Sequence, residues 1–223
     1  MVFLVRMADD MINGLANMKS TAEEEEVIPV SEEGRHEEIE SCTQSLIGKF
    51  LTCKPFNKRV ALSTLTRVWG LEDSMVVSEV GSNLFQFKFQ IEFDMEQILK
   101  EGLWVFDSQV LLLRCWEAGM MVKNVRFDSL PIWLQIWDAP FDIVCSQVVE
   151  EVGQRLGRVV KVERWRGHIV QNLYMRVKVA IPLEKPLQRG GYLLDSSGQR
   201  VWVKFRYKRL PMHVLSLLRY VRS

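Results

Sequence analysis

Two stretches near the C-terminus alternate apolar and basic side chains. In the first, Leu173, Met175, Val177, Val179 and Ile181 point one way and Tyr174, Arg176 and Lys178 the other. In the second, Val201, Val203, Phe205 and Tyr207 alternate with Arg200, Trp202, Lys204, Arg206 and Lys208. A period of two predicts strands with one buried and one wet face. Here the wet face is almost purely cationic, with Tyr174 and Trp202 set among the charges.

Upstream, the pattern predicts a β-α-β-β-α-β unit. Leu46–Leu51 reads as a short strand, broken by Pro55-Phe56-Asn57, with Asn57 as the cap of a helix. Val60, Leu62, Leu65, Val68 and Trp69 recur at helical spacing, and Gly70 follows where a helix-ending glycine belongs. Met75–Val80 and Leu84–Ile91 read as strands around the turn Gly81-Ser82-Asn83. Asp94 is expected to cap a second helix holding Met95, Ile98 and Leu99, ended by Gly102. Val110–Trp116 reads as the last strand. This order is the ferredoxin-like or RRM-like one, and the fold class it predicts is α+β.

A second unit follows. Pro131–Asp138 reads as a strand with Trp133, Gln135 and Trp137 on one face. A helix begun by Asp142 or Ser146 carries Val148, Val149, Val152 and Leu156 and stops at Gly157. Arg158–Trp165 reads as a strand, and Arg166-Gly167-His168 loops to the first basic strand. Pro182–Gly191 holds too many prolines and glycines to predict a helix. Tyr192–Leu194, the turn Asp195-Ser196-Ser197-Gly198 and the second basic strand read as a hairpin. This β-α-β-β-β-β order fits either a ferredoxin-like unit without its second helix or strands added to the first sheet. No internal repeat is visible at the residue level.

Charge divides the chain further. The formal net charge of +1 hides a net of −8 over residues 1–41, −4 over 42–154 and +13 over 155–223. Residues 1–41 are expected to be a disordered acidic tail, because Glu23–Glu26, Glu32, Glu33, Glu37 and Glu38 repel one another and little apolar mass opposes them. A short helix near Ile39–Leu46 joins the tail to the RRM-like unit, expected over 42–118. The basic second unit spans 128–211, and 212–223 form a tail. Such asymmetry suggests a polyanion-binding end beside an acidic one, or a tail that neutralises the basic end and keeps it soluble.

Cys42, Cys53, Cys115 and Cys145 make no CxxC pair, and His36, His168 and His213 stand apart, so neither a zinc site nor a disulfide framework is expected. Met1–Arg6 is too short for a signal peptide, and no run reaches the length of a membrane helix. These features predict an intracellular protein with reduced cysteines. No catalytic constellation, metal site, cofactor motif or small-molecule site stands out. Gly190-Gly191 is not followed by a phosphate-loop pattern.

The candidate site is therefore a surface: Tyr174, Arg176, Lys178, Arg200, Trp202, Lys204 and Arg206. Cations track phosphates, and aromatic rings stack on bases. An ordinary solvated face would carry glutamates among these cations, and these strands carry none. Arg155, Arg158, Lys161, Arg164 and Arg166 extend the basic field. By contrast, Phe85, Phe87 and Phe89 fit core better than a stacking platform, leaving Gln86 and Lys88 on the open face. Trp133 and Trp137 suit either base stacking or anchorage between the two halves, and packing is the favoured reading.

A series of landmarks runs through residues 45–211: Ser45-Leu46-Ile47-Gly48-Lys49-Phe50-Leu51, Thr66-Arg67-Val68-Trp69, Phe85-Gln86-Phe87-Lys88-Phe89, Gly102-Leu103-Trp104-Val105-Phe106, Leu111-Leu112-Leu113, Pro131-Ile132-Trp133-Leu134-Gln135-Ile136-Trp137, Val152-Gly153 and Lys204-Phe205-Arg206-Tyr207-Lys208-Arg209-Leu210-Pro211. In this order they resemble the plant domain of unknown function, DUF4283, of the gag-like proteins of LINE-type non-LTR retrotransposons. The resemblance implies a non-catalytic protein that binds RNA or single-stranded DNA in a retroelement particle. In that family the Leu-Pro pair leads into a CCHC zinc knuckle. Here Leu210-Pro211 leads into Met212-His213-Val214-Leu215, and the knuckle cysteines are missing, as expected of a truncated, frame-shifted or misjoined copy. Two alternatives stay open. One is a self-associating assembly module whose basic face meets acidic protein, such as the Glu23–Glu26 tail of another copy. The other is an element relic without selected function.

Overall fold

The computed structural model describes residues 21, 24–31, 33–52, 55–163, 174–211 and 214. The chain divides into a unit of residues 1–38 and a unit of residues 39–223. In the smaller unit Thr21 N donates to Glu24 Oε2 at 2.7 Å in a local turn, and Val27, Ile28 and Val30 are exposed. The expected loop residues Arg166 and His168, with Arg164, Trp165 and Leu173, lie outside the described residues.

Helix α1 (His36–Thr43) runs across that division and leads into strand β1 (Ser45–Leu51). It starts three residues earlier than its pattern suggests and stops before Leu46, because Leu46 is fully buried in the strand. Helix α2 (Lys58–Trp69) is capped as expected: Asn57 Oδ1 accepts from Val60 N at 3.1 Å, and Gly70 takes a left-handed φ of 71°. Strands β2 (Met75–Gly81) and β3 (Leu84–Phe89) form a hairpin. Helix α3 (Glu92–Glu101) begins two residues before Asp94. Its N-cap position is Ile91, without a side-chain bond, so Asp94 is a first-turn acid favoured by the helix dipole and not the cap.

A strand unseen in the pattern follows. Strand β4 (Trp104–Phe106) pairs with β5 (Gln109–Cys115) around Asp107-Ser108, both at positive φ, 44° and 64°. Two left-handed residues between paired strands make the tight turn that matches strand twist, usually signalled by Asn-Gly or Asp-Gly. Asp-Ser carries no such signal, and three residues are too few to show alternation. The sheet order is β2-β3-β1-β5-β4, entirely antiparallel, with the β-α-β-β-α-β core expected and β4 added at one edge.

The second half forms its own sheet and does not extend the first. Strand β6 (Ser129–Trp137) is followed by a short 3₁₀ turn (Phe141–Ile143), helix α4 (Ser146–Leu156), then β7 (Arg158–Val162), β8 (Tyr174–Pro182), β9 (Gly190–Leu194) and β10 (Arg200–Tyr207). Its order, β7-β8-β6-β10-β9, repeats that of the first sheet strand for strand. Only the second helix is missing, replaced by the proline-broken stretch after β8. The repeat lies in topology and not in residues. Of the two proposed starts for α4, Ser146 is right. Asp142 sits in the 3₁₀ turn, where its carboxylate accepts from Ser196 N at 2.9 Å.

Each sheet buries one face against its own helices. Leu46, Phe50, Phe85, Phe87 and Phe89 pack on Ala61, Leu65, Met95 and Ile98. The three phenylalanines are thus core, 0–5% exposed. In the second sheet Ile132, Leu134, Ile136, Met175, Val177 and Val179 pack on Val149, Val152 and Leu156 of α4. The far face of the first sheet is also closed at β5, where Val110 and Leu112 pack with Leu130 and Val214 and touch Leu183 and Leu210. Val214, the described residue beyond Pro211, is fully buried there.

Gly157 ends α4 directly against β8. A Cβ there would drive into the Ala180 carbonyl oxygen, and backbone cannot yield as a side chain can. Gly157→Ala should therefore lower stability by about 1–3 kcal/mol, read as a lower urea midpoint at unchanged slope. An unchanged midpoint would show that β8 shifts freely.

The Tyr207 hydroxyl donates to Gln188 O at 2.7 Å, tying β10 to the stretch that stands in for the missing helix. Burial pushes the phenol up to about 12. The folded state therefore disfavours the phenolate. The stability this phenol contributes is complete below pH 10 and is lost as pH rises towards 12. Tyr207→Phe should cost about 1 kcal/mol at neutral pH through the lost hydrogen bond. That deficit should vanish in chemical denaturation between pH 10 and 12; a deficit constant with pH would contradict the assignment.

Candidate nucleic-acid interface

Among the described residues one helix, α4, covers the second sheet, and it covers one face. The register assigns the other face. Tyr174 stands opposite Trp137, Arg176 opposite Gln135, and Lys178 opposite Trp133. Across β6, Lys204 stands opposite Trp137 and Arg206 opposite Gln135; at the far edge Trp202 stands opposite Tyr192. Tyr174, Arg176, Lys178, Trp202, Lys204 and Arg206 thus share one face, with Arg200 at its edge. On the β7 side, Lys161 pairs with Lys178 and Arg158 with Ala180.

The rings and cations on this face are interleaved. The Arg176 guanidinium carbon lies 4.2 Å from the centroid of Trp133, that of Arg206 4.5 Å from Trp137, and that of Arg200 4.4 Å from Tyr192. Trp137 and Tyr174 stack at 4.8 Å with planes 29° apart, and Tyr192 meets Trp202 edge-on at 5.0 Å. A guanidinium over an indole is attracted by the ring quadrupole, and each holds the other at a fixed height above the pleat. Gln135 is 2% exposed and accepts from Trp137 Nε1 at 3.2 Å, fixing that indole from below.

The cations differ in freedom. Arg206 and Arg200 are exposed, and among the described residues neither has a carboxylate within ion-pair distance. Lys204 is held by Asp138 at 2.8 Å, and Arg176 by Glu163 at 3.4 Å. Those acids stand just outside the strands, so the face is less purely cationic than the strands alone suggest. Arg176 Nε is buried and lacks a hydrogen-bond partner.

Lys178 departs from the expected wet position. It is 4% exposed, and its Nζ donates to the Lys100 carbonyl oxygen at 2.5 Å, at the end of α3. Burial and, secondarily, the charge of Lys161 hold its ammonium below the ordinary lysine range. Lys178 therefore joins the second sheet to α3 and is nearly shut off from solvent. Arg155, expected in the same field, is on α4, which covers the opposite face of this sheet.

Three residues of this face lie outside the candidate set read from the sequence. Trp133 and Trp137 are half-buried on this face, stacked against Arg176, Arg206 and Tyr174, and Trp133 also lines the cleft shared with the first half. Tyr192 is exposed on the edge strand. The alternation of Trp133, Gln135 and Trp137 was the available signal, but it becomes decisive only once β6 is central, between β8 and β10. The first sheet offers no comparable surface. Gln86, expected to face open sheet, donates to Ser45 Oγ at 3.1 Å and meets Cys42 Sγ of α1.

Among the described residues no helix is long and apolar enough to cross a membrane, and no three His, Cys, Asp or Glu side chains cluster as a metal ion requires. Residues 38–124 match the family described as a domain of unknown function, DUF4283. An Arabidopsis thaliana protein, "Uncharacterized protein At4g02000", is 20% identical over 120 residues, which is 54% of this chain and 38% of that relative's length. The chain therefore spans well under two thirds of the curated relative it matches. A solved structure described as a Sxl-lethal protein/RNA complex covers 74% of this chain and 98% of its own, at 11% identity and a TM-score of 0.29. A likeness that distant decides nothing here. The shared landmark region and the family match agree over the first sheet and the linker after it.

Proposed function

We propose that this protein binds single-stranded nucleic acid, RNA or DNA, without catalysis, on the helix-free face of its second sheet. The observation that carries this is the interleaving of Arg176, Arg200 and Arg206 with Trp133, Tyr192 and Trp137 on one face. Such a face supplies both things an unpaired strand needs: cations for phosphates and flat rings for bases. Stacking contributes about 1–3 kcal/mol per base and tolerates any sequence, because every base has a π-face. A base that slides onto Trp133 displaces the Arg176 guanidinium, and that movement frees the unpartnered Nε to reach an acceptor. The retroelement-derived, gag-like origin belongs to the same proposal. It rests on the landmark series through residues 45–211, of which the DUF4283 match covers the first part.

The test is binding of a labelled single-stranded RNA by the full chain, titrated against salt, beside Arg200→Glu/Lys204→Glu/Arg206→Glu. All three positions are exposed, so the variant should fold. Each neutralised phosphate contributes about 0.7 to the slope of log affinity against log salt for a single strand, so the variant should lose about 2 from the slope and bind at least tenfold more weakly. An affinity indifferent to salt, or equal in the folded variant, would overturn the proposal.

A further inference from the structure

Where the helix-free face runs on towards Pro131, the first sheet's unit roofs it. A cleft of about 720 Å³ lies between them. Its floor is the continuation of the same face, with Trp133, Lys178, Lys161 and Arg158. Its roof and side are Lys100, Arg114 and Arg126, with Glu117 and Asp128 as the acids. Glu117 is taken by Arg114 at 2.9 Å, and Lys100 pairs with Glu96 at 2.5 Å. Among the described residues, Arg126, Arg158 and Lys161 have no carboxylate within ion-pair distance.

The lining carries six cations, Lys100, Arg114, Arg126, Arg158, Lys161 and Lys178, against two acids, and low-dielectric walls strengthen the field inside the cleft. That excess of positive charge suits an anion. Within the floor, burial and then the charge of the neighbouring Lys161 disfavour the Lys178 ammonium. The cleft is also continuous with the stacking face. Trp133 and Lys178 line both the cleft and the adjoining groove of Arg176, Lys208 and Arg209.

We infer that the cleft between the two sheets takes the phosphodiester backbone of the same single strand, which lies with its bases on Trp137 and Trp133 and passes its phosphates between Arg158, Lys161 and Arg126. This rests on the binding surface proposed above and adds to it a second contact zone formed by both halves of the chain. Pro131 to Trp137 along β6 is about 20 Å at strand rise, so the exposed platform alone accommodates only a short oligonucleotide. The cleft lengthens the tract.

Arg126, Arg158 and Lys161 are all exposed, so Arg126→Ala/Arg158→Ala/Lys161→Ala should fold. Its binding to oligouridylates of about 4 and about 12 nucleotides, against salt, separates the possibilities. For the longer probe the salt slope should fall by about 2 and affinity at about 50 mM salt by at least tenfold, with the shorter probe nearly unaffected. If both probes bind the variant as they bind the wild type, or if both weaken equally, the cleft is not part of the tract, while the platform reading stands on its own variant. If the wild-type chain binds neither probe at low salt, the platform reading falls and the cleft with it.

Discussion

The architecture depends on the two-residue period of a strand where, among the described residues, a sheet has one helix to cover it. Every residue of β8 and β10 must face α4 or face away. Those facing α4 are Met175, Val177, Val179 and Val203, which are buried. Those facing away receive no helix from the stretch after β8, which is broken by prolines where the first unit has α3, and the end of α3 reaches them at Lys178. An uncovered face must be compatible with water and yet resist pairing with other sheets. Arginines laid over indoles meet both demands: the rings cover the pleat, and the charges keep it hydrated.

The two sheets share one strand order but make opposite use of it. The first buries its helix side on Phe85, Phe87 and Phe89 and also loses part of its far side to Val110, Leu112, Leu130 and Val214. The second keeps its far side available. Lys178 marks the seam, donating its ammonium to the end of α3 instead of to solvent. On the proposed reading, the first unit is a support and a roof, and the second is the surface that meets nucleic acid.

Much of this was legible in the chain. Alternation identified both basic strands, and Asn57 and Gly70 bracketed α2 because capping is local chemistry. What was not legible was non-local. No single-residue pattern says that β6 is central, so Trp133 and Trp137 could not be assigned to a face with their cationic partners until the register of β8 and β10 was known. The hairpin of β4 and β5 was hidden by a turn made with Asp107-Ser108 instead of glycine. Lys178 looked like its neighbour Arg176 in sequence, yet the approach of α3, 78 positions earlier, buries one and leaves the other half-exposed. The repeat of topology between the halves left no residue-level trace, because strand order can persist with any alternating apolar set.

The most direct measurement is the set of tryptophan indole N–H resonances of the full chain as single-stranded RNA is added. The account predicts that Trp133, Trp137 and Trp202 shift together, while Trp69 and Trp104, ring against ring at 5.5 Å in the first sheet's core, stay in place. Shifts confined to Trp69 and Trp104, or none under saturating RNA, would contradict it.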